Sequence, residues 1–188
     1  IVLENKGELD AAMESYEQAI KIKPDYAEAY NNMGNARKDT GDQDAAVDSY
    51  KQAIKIKPDY AEAYYNMGNA LKDKGELDAA IDSYKQAIKI KPDYELARSA
   101  KLYQQAHICD WAAIKEDSEA IPKLGTIAQS VTPFGILPLE DAPEHHRLRS
   151  EIYAKNKFPQ KPLPLAPRST QKPDRLRIGY FSSDFKEH

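Results

Sequence analysis

Cysteine is nearly absent. The single residue, Cys109, cannot form an internal disulfide, which favours a reducing compartment. No apolar run is long enough to cross a bilayer and no leader peptide is visible, so neither a membrane protein nor a secreted one is expected. No sign of charge dominates: 27 Lys/Arg face 30 Asp/Glu, a net charge of −3. The halves differ, with 13 basic and 18 acidic residues in 1–94 and 14 and 12 in 95–188. Neither half has the basic face that a nucleic-acid partner requires. Neither His107 with Cys109 nor the pair His145 and His146 has metal-ligand spacing. The expectation is a cytoplasmic protein without metal, membrane or nucleic-acid business.

What the chain has is a repeat. The segment from Tyr26 to Asp59 recurs almost verbatim from Tyr60 to Asp93, a period of 34 residues. Pro24, Pro58 and Pro92 keep the register, with Gly7, Gly41 and Gly75 and with Tyr16, Tyr50 and Tyr84. This period and pattern are the tetratricopeptide signature, and repeats of this kind bind other proteins. Each unit predicts two helices. Helix A covers Ala27–Thr40 and Ala61–Lys74, with Asp25 and Asp59 as caps and Glu28 and Glu62 completing a capping box. Gly41 and Gly75 suit a left-handed stop. Helix B covers Asp44–Lys57 and Asp78–Lys91, ended by Pro58 and Pro92. Gly34 and Gly68, with Ala46, Ala53, Ala80 and Ala87, allow close helix approach. Tyr30, Tyr64, Met33, Met67, Tyr50 and Tyr84 fill the spaces between. No unit buries its apolar face alone, so the units are expected to stack into a right-handed superhelix.

The register weakens after Asp93. Repeats thus occupy 1–94, the first of them truncated, and an atypical last repeat or helical transition occupies 95–131. Glu95 to Cys109 still reads as a helix A, and Asp110 to Val131 as an irregular helical pair broken near Pro122 and Gly125. A loop and helix fill 132–158, with Asp141 as cap, Pro143 in the first turn and an end near Lys157. A Pro-rich connector spans 159–174. Residues 175–188 hold a buried-strand pattern, Leu176 to Phe181, and the loop leaving it. Cys109 reads as a small buried residue, Trp111 as an anchor between the last repeat and the transition, and His145 and His146 as part of a solvated face. Ile1 falls at the ninth position of a unit and His188 just inside a new element, so a piece of a longer protein is expected.

Candidate binding residues follow from the period. Asn32 and Asn66 are equivalent on successive helices A. Asn35 and Asp39, then Asn69 and Asp73, share their face at spacings of three and four. A row of side-chain amides can give one donor and one acceptor each to the backbone of an extended peptide, without reading its sequence. The competing reading is that these amides are solvated or bond between repeats.

Two further stretches carry a resemblance. His107-Ile108-Cys109-Asp110-Trp111 follows the last full repeat. Arg175 to His188 reads Arg-Leu-Arg-Ile-Gly-Tyr-Phe-Ser-Ser-Asp-Phe-Lys-Glu-His. Together with the repeats, these resemble the protein O-linked N-acetylglucosaminyltransferase family, including its SPINDLY branch, and Lys186-Glu187 looks like its bacterial members. The resemblance implies an all-α repeat superhelix that selects protein substrates along its concave side, using an asparagine ladder. An irregular helical transition follows, and then the first β-strand of a Rossmann-like catalytic lobe. It also implies an inverting, metal-independent transfer of N-acetylglucosamine from UDP-N-acetylglucosamine to Ser or Thr, with no cofactor. His188 matches the family's active-site histidine, at the carboxyl end of a strand where such sheets bind ligands. The donor-binding lobe lies beyond this chain, so residues 1–188 alone are expected to be inactive. The rivals are a SPINDLY-type O-fucosyltransferase using GDP-fucose and a non-enzymatic tetratricopeptide scaffold.

Overall fold

The computed structural model describes the backbone of residues 2–126 and 131–158, and side chains from Glu8 onward within those ranges. The expected strand at 175–188 and the connector at 159–174 lie outside the described residues. Among the described residues all regular structure is helical. The helices are α1 (Val2–Ile22), α2 (Ala27–Asp39), α3 (Gln43–Ile56), α4 (Ala61–Asp73), α5 (Leu77–Ile90), α6 (Glu95–His107), α7 (Trp111–Lys115) and α8 (Pro143–Lys157). Three short 3-10 turns occupy Ile121–Lys123, Pro133–Gly135 and Leu137–Leu139.

Helices α2 and α3 form one unit, and α4 and α5 the next. Within each, a glycine meets a tyrosine. A Cβ on Gly34 would lie 2.5 Å from the Tyr50 ring, and one on Gly68 would lie 2.5 Å from the Tyr84 ring. Both tyrosines are fully buried, as are Ala46, Ala53, Ala80 and Ala87. Small residues on one helix thus make room for a large ring from the other, which is how interiors reach crystal-like density. Gly41 and Gly75 end the helices A at φ 88° and 83°, a conformation that costs glycine little.

Two expected caps do not form. The residue at the N-cap of α4 is Tyr60, and that of α2 is Tyr26, neither with a side-chain cap bond. Pro58 and Asp59 instead make a turn closed by the Tyr60 amide donating to the Lys57 carbonyl at 3.1 Å. The Lys57 ammonium sits 4.7 Å from the Tyr60 ring centre and 3.4 Å from Glu28. Glu28 therefore ties the start of α2 to the end of α3 within one unit rather than reaching back to its own cap. Gly7 also departs from its register partners, since α1 runs through it without a break.

A third unit begins on the same frame. Tyr94 takes the place of Tyr26 and Tyr60, α6 is its helix A, and α7 is a five-residue stub of helix B. Asp110 caps α7 by accepting from the Ala113 amide at 3.2 Å, as Asp42 caps α3 through the Ala45 amide at 3.1 Å. Cys109 falls on the position of Gly41 and Gly75, and it adopts their left-handed backbone at φ 58°. It is exposed, not buried, because the turn faces outward in every unit. Trp111, the first residue of the five-residue α7, is likewise 54% exposed and no anchor. A left-handed non-glycine residue is strained by about 1–2 kcal/mol, and glycine returns part of that to unfolded-chain entropy. Cys109→Gly should therefore stabilise the chain by about 1 kcal/mol, raising Tm by about 2–4 °C. Calorimetry that finds Tm unchanged or lowered would contradict the strain.

The pairing of glycine with tyrosine is absent from the third unit, where the chain at Ser118 is an exposed turn beyond α7. Leu102 stands where Gly34 and Gly68 stand, and Ser118 where Tyr50 and Tyr84 stand. Leu102 is fully buried in a second core with Ile114, Ile121, Leu124, Val131 and Ile136. Charge is exchanged as well. Asp117 replaces the buried serines Ser49 and Ser83, and it meets Arg98 at 2.5 Å and Lys101. Lys101 stands where the units carry Met33 and Met67, and Arg98 where they carry Tyr30 and Tyr64.

Helix α8 is held by Arg149, whose side chain is completely buried. Its Nε donates to the Leu124 carbonyl at 2.7 Å and its Nη2 to that of Ile121 at 2.8 Å. Nη2 also lies 2.7 Å from Glu140 Oε2. His145 and His146 are not a solvated face. His145 Nδ1 is 2.8 Å from Glu140 Oε1, and His146 Nε2 donates to the Glu140 carbonyl at 2.7 Å. Burial works to raise the Glu140 carboxyl, but hydrogen bonds from His145 and Arg149 outweigh it and hold the group below its ordinary value. Asp141 is not the cap; Ala142 occupies that position without a side-chain bond, and Pro143 opens the helix.

Candidate functional site

The six residues expected on the face of the helices A divide into three pairs. Asn32 is exposed, while Asn66 is half-buried and donates from Nδ2 to Asn31 Oδ1 at 3.1 Å. Asn31, only 1% exposed, is thereby the link between successive helices A. Tyr65 holds the equivalent place one unit later, packed against Tyr84 and Tyr94. Asn35 and Asn69 are oriented from behind. Tyr50 Oη donates to Asn35 Oδ1 at 2.8 Å, and Tyr84 Oη to Asn69 Oδ1 at 2.9 Å. Burial, helped by Asp39, pushes the Tyr50 phenol well above its ordinary value. Burial, with Tyr65 and Asp73, does the same for Tyr84. Both therefore stay protonated donors, which turns each asparagine so that its acceptor faces inward.

Asp39 and Asp73 each pair with the preceding lysine, at 3.5 Å to Lys38 and 3.0 Å to Lys72. These are exposed pairs of small energetic worth. They leave both charges available at the surface. His188 lies outside the described residues.

A cavity of about 240 Å³ opens at the C-terminal end of this face. Tyr65, Asn69 and Lys72 of α4 line it, with Tyr103 and Gln104 of α6 and Phe134 of the Pro133–Gly135 turn. Sequence reasoning reached Asn69 but not the rest. Asn31 could have been found, because Asn31-Asn32 becomes Tyr65-Asn66 at the next period. Nothing in the sequence placed Phe134 beside α4.

Among the described residues, no group of three His, Cys, Asp or Glu side chains could hold a metal ion. No helix among them is long and apolar enough to cross a membrane.

Family models for the tetratricopeptide repeat match residues 5–41, 34–75 and 61–94. Residues 5–94 are tetratricopeptide repeats. Their business is protein–protein interaction. A solved structure of a Thermobaculum terrenum O-GlcNAc transferase mutant aligns with 54% of this chain at 26% identity and a TM-score of 0.50. The alignment covers 20% of that transferase, so this chain corresponds to about a fifth of its length. A crystal structure of MamA aligns over 81% of this chain and 88% of its own, at 23% identity and a TM-score of 0.60. That likeness is one of fold. No curated protein sequence matches the chain.

Proposed function

We propose that this chain is the substrate-recognition segment of a protein O-GlcNAc transferase-like glycosyltransferase, followed by the first strand of its catalytic region. The observation that carries the reading is the structural likeness to the Thermobaculum terrenum transferase at 26% identity. The motifs His107 to Trp111 and Arg175 to His188 support it from the sequence. In this reading an extended segment of a protein substrate lies along the helices A. Asn32 and Asn66, with Asn35, Asn69, Asp39 and Asp73 beside them, bind its backbone. The Tyr50 and Tyr84 hydroxyls hold two of these amides in one orientation, so less rotamer entropy is lost when a peptide arrives. His188 stands on the acceptor side of a cleft whose second lobe supplies the groups that stabilise the leaving diphosphate.

The first test is transfer from UDP-N-acetylglucosamine, and in parallel from GDP-fucose, to a Ser/Thr-rich protein acceptor. Residues 1–188 should transfer nothing. A longer chain carrying both lobes should transfer sugar, and His188→Ala in it should remove most of the activity. Which donor is consumed decides between the N-acetylglucosaminyl and fucosyl branches. A longer chain inert toward both donors would favour the scaffold reading.

The second test is recognition. Asn32→Ala with Asn66→Ala should weaken binding of extended peptides by about 0.5–1.5 kcal/mol per lost hydrogen bond. Calorimetric titration against a peptide that binds the unsubstituted chain measures this. Equal affinity would remove these two residues from the binding face. Asn66→Ala also loses its bond to Asn31, so circular dichroism must show the helices intact.

A further inference from the structure

We propose that the cavity between α4, α6 and the Pro133–Gly135 turn takes one aromatic side chain with a polar edge, Tyr or Trp, from an extended peptide lying along the helices A. The inference rests on that face being peptide-binding, and it adds a sequence preference to a row of amides that has none.

Size is the first argument. The cavity, about 240 Å³, is below the range of about 300–1,000 Å³ usual for small-molecule sites. It suits a single large side chain. Chemistry is the second. Tyr65, Tyr84, Tyr103 and Phe134 supply four aromatic walls, and rings pack favourably edge-to-face or offset against one another. Asn69, Lys72, Ser99, Gln104 and Thr132 supply the polar part of the lining. A phenol or indole matches both, having an apolar body and one polar edge. The Lys72 ammonium adds attraction for a ring face.

Preorganisation is the third. Phe134 is 73% exposed, yet it is held on both sides. Val131 and Ile136 flank it in the chain and are only 1% and 0% exposed. The Gly135 amide donates to the Thr132 carbonyl at 3.2 Å and the Ile136 amide to that of Pro133 at 3.1 Å. Gly135 itself lies against the Tyr103 ring, where a Cβ would come within 3.3 Å. An exposed ring on a pinned turn loses little entropy when it is covered, as at interface hot spots. Continuity is the fourth. Asn69 belongs both to the amide face and to the cavity wall, so a peptide along the first reaches the second.

The test pans a phage-displayed library of random twelve-residue peptides on the chain. Enriched peptides should share one Tyr or Trp. Phe134→Ala should weaken them about tenfold, and it should fold normally because Val131 and Ile136 carry the packing. Replacing the peptide's aromatic residue by alanine should cost the same in the unsubstituted chain and nothing further in Phe134→Ala. Enrichment without an aromatic residue, or full loss of affinity in both backgrounds, would overturn the pocket. If such peptides still weaken with Asn32→Ala and Asn66→Ala, the amide face stands and the pocket alone falls. Peptides that respond to Phe134 but not to the asparagines would sustain the pocket and remove the amide face. A library without binders overturns both. Light scattering closes the remaining case, since self-association lost in Phe134→Ala would give the cavity to a second copy and overturn a peptide occupant.

Discussion

Asp117→Ala should unfold the third unit at room temperature or bring it close, at a cost of about 3–5 kcal/mol. Asp117 has 8% of its side chain exposed and faces two cations, Lys101 at 10% and Arg98 at 21% exposure. Burying an ion pair stabilises little by itself. Removing one partner is another matter, because the remaining charge stays buried without compensation. Lys101 suffers most, being the least exposed cation, in a place where the earlier units carry methionine. The same reasoning names a rescue. Arg98→Tyr, Lys101→Met and Asp117→Ser together restore the residues of the preceding units. The triple variant should recover most of the loss, since exchanging a whole buried network for well-packed apolar groups is often neutral or better. Urea titrations of the three proteins measure this. A single variant as stable as the parent, or a triple variant no better than the single one, would show that the network does not hold the unit.

That network also shows where sequence reading stopped. Between Ala27 and Ile90 each helix end was legible to within one residue. Helix A was expected at Ala27–Thr40 and Ala61–Lys74 and is found at Ala27–Asp39 and Ala61–Asp73. The repeat makes this possible, because each position is stated twice and chance matches cancel. In the third unit no change is informative singly. Leu102 alone reads as a lost glycine and Ser118 alone as a lost tyrosine; in the structure Leu102 packs with Ile114 and Ile121 in a different core while Ser118 is exposed. Arg98, Lys101 and Asp117 are likewise meaningless singly. Cys109 was misread as buried because residue type outweighed register, although positions 41, 75 and 109 share one phase. Arg149 escaped because α8 carries no apolar stripe, and its burial depends on the carbonyls of Leu124 and Ile121, far away in sequence. For the candidate site, the period placed the asparagines on one face. It could not reveal that Tyr50 and Tyr84 orient two of them, since a spacing of 15 residues across a turn has no helical signature.

Gly68→Leu should destabilise the second unit by about 1–3 kcal/mol through overpacking. Even the Cβ of a new side chain would stand 2.5 Å from Tyr84 Cε1 and 2.8 Å from Cδ1, closer than carbon atoms approach without moving. Tyr84 cannot swing away cheaply. It is fully buried, and its hydroxyl is tied to Asn69 at 2.9 Å. The alternative is for α4 and α5 to separate, which loosens the core shared by Ala70, Leu71, Ala80 and Tyr84. Glycine is a poor helix former, so the substitution also returns up to about 1 kcal/mol of helix propensity, and the expected range is net of that gain. In the third unit a leucine, Leu102, holds this register position, and a serine, Ser118, holds that of the tyrosine. Gly68→Leu with Tyr84→Ser should therefore regain part of the crossing that the single variant loses, at the expense of the Asn69 bond. Thermal melts of the three proteins decide the point: a single variant with unchanged Tm, or a double variant worse than the sum of its singles, would mean that Gly68 and Tyr84 do not set the distance between α4 and α5.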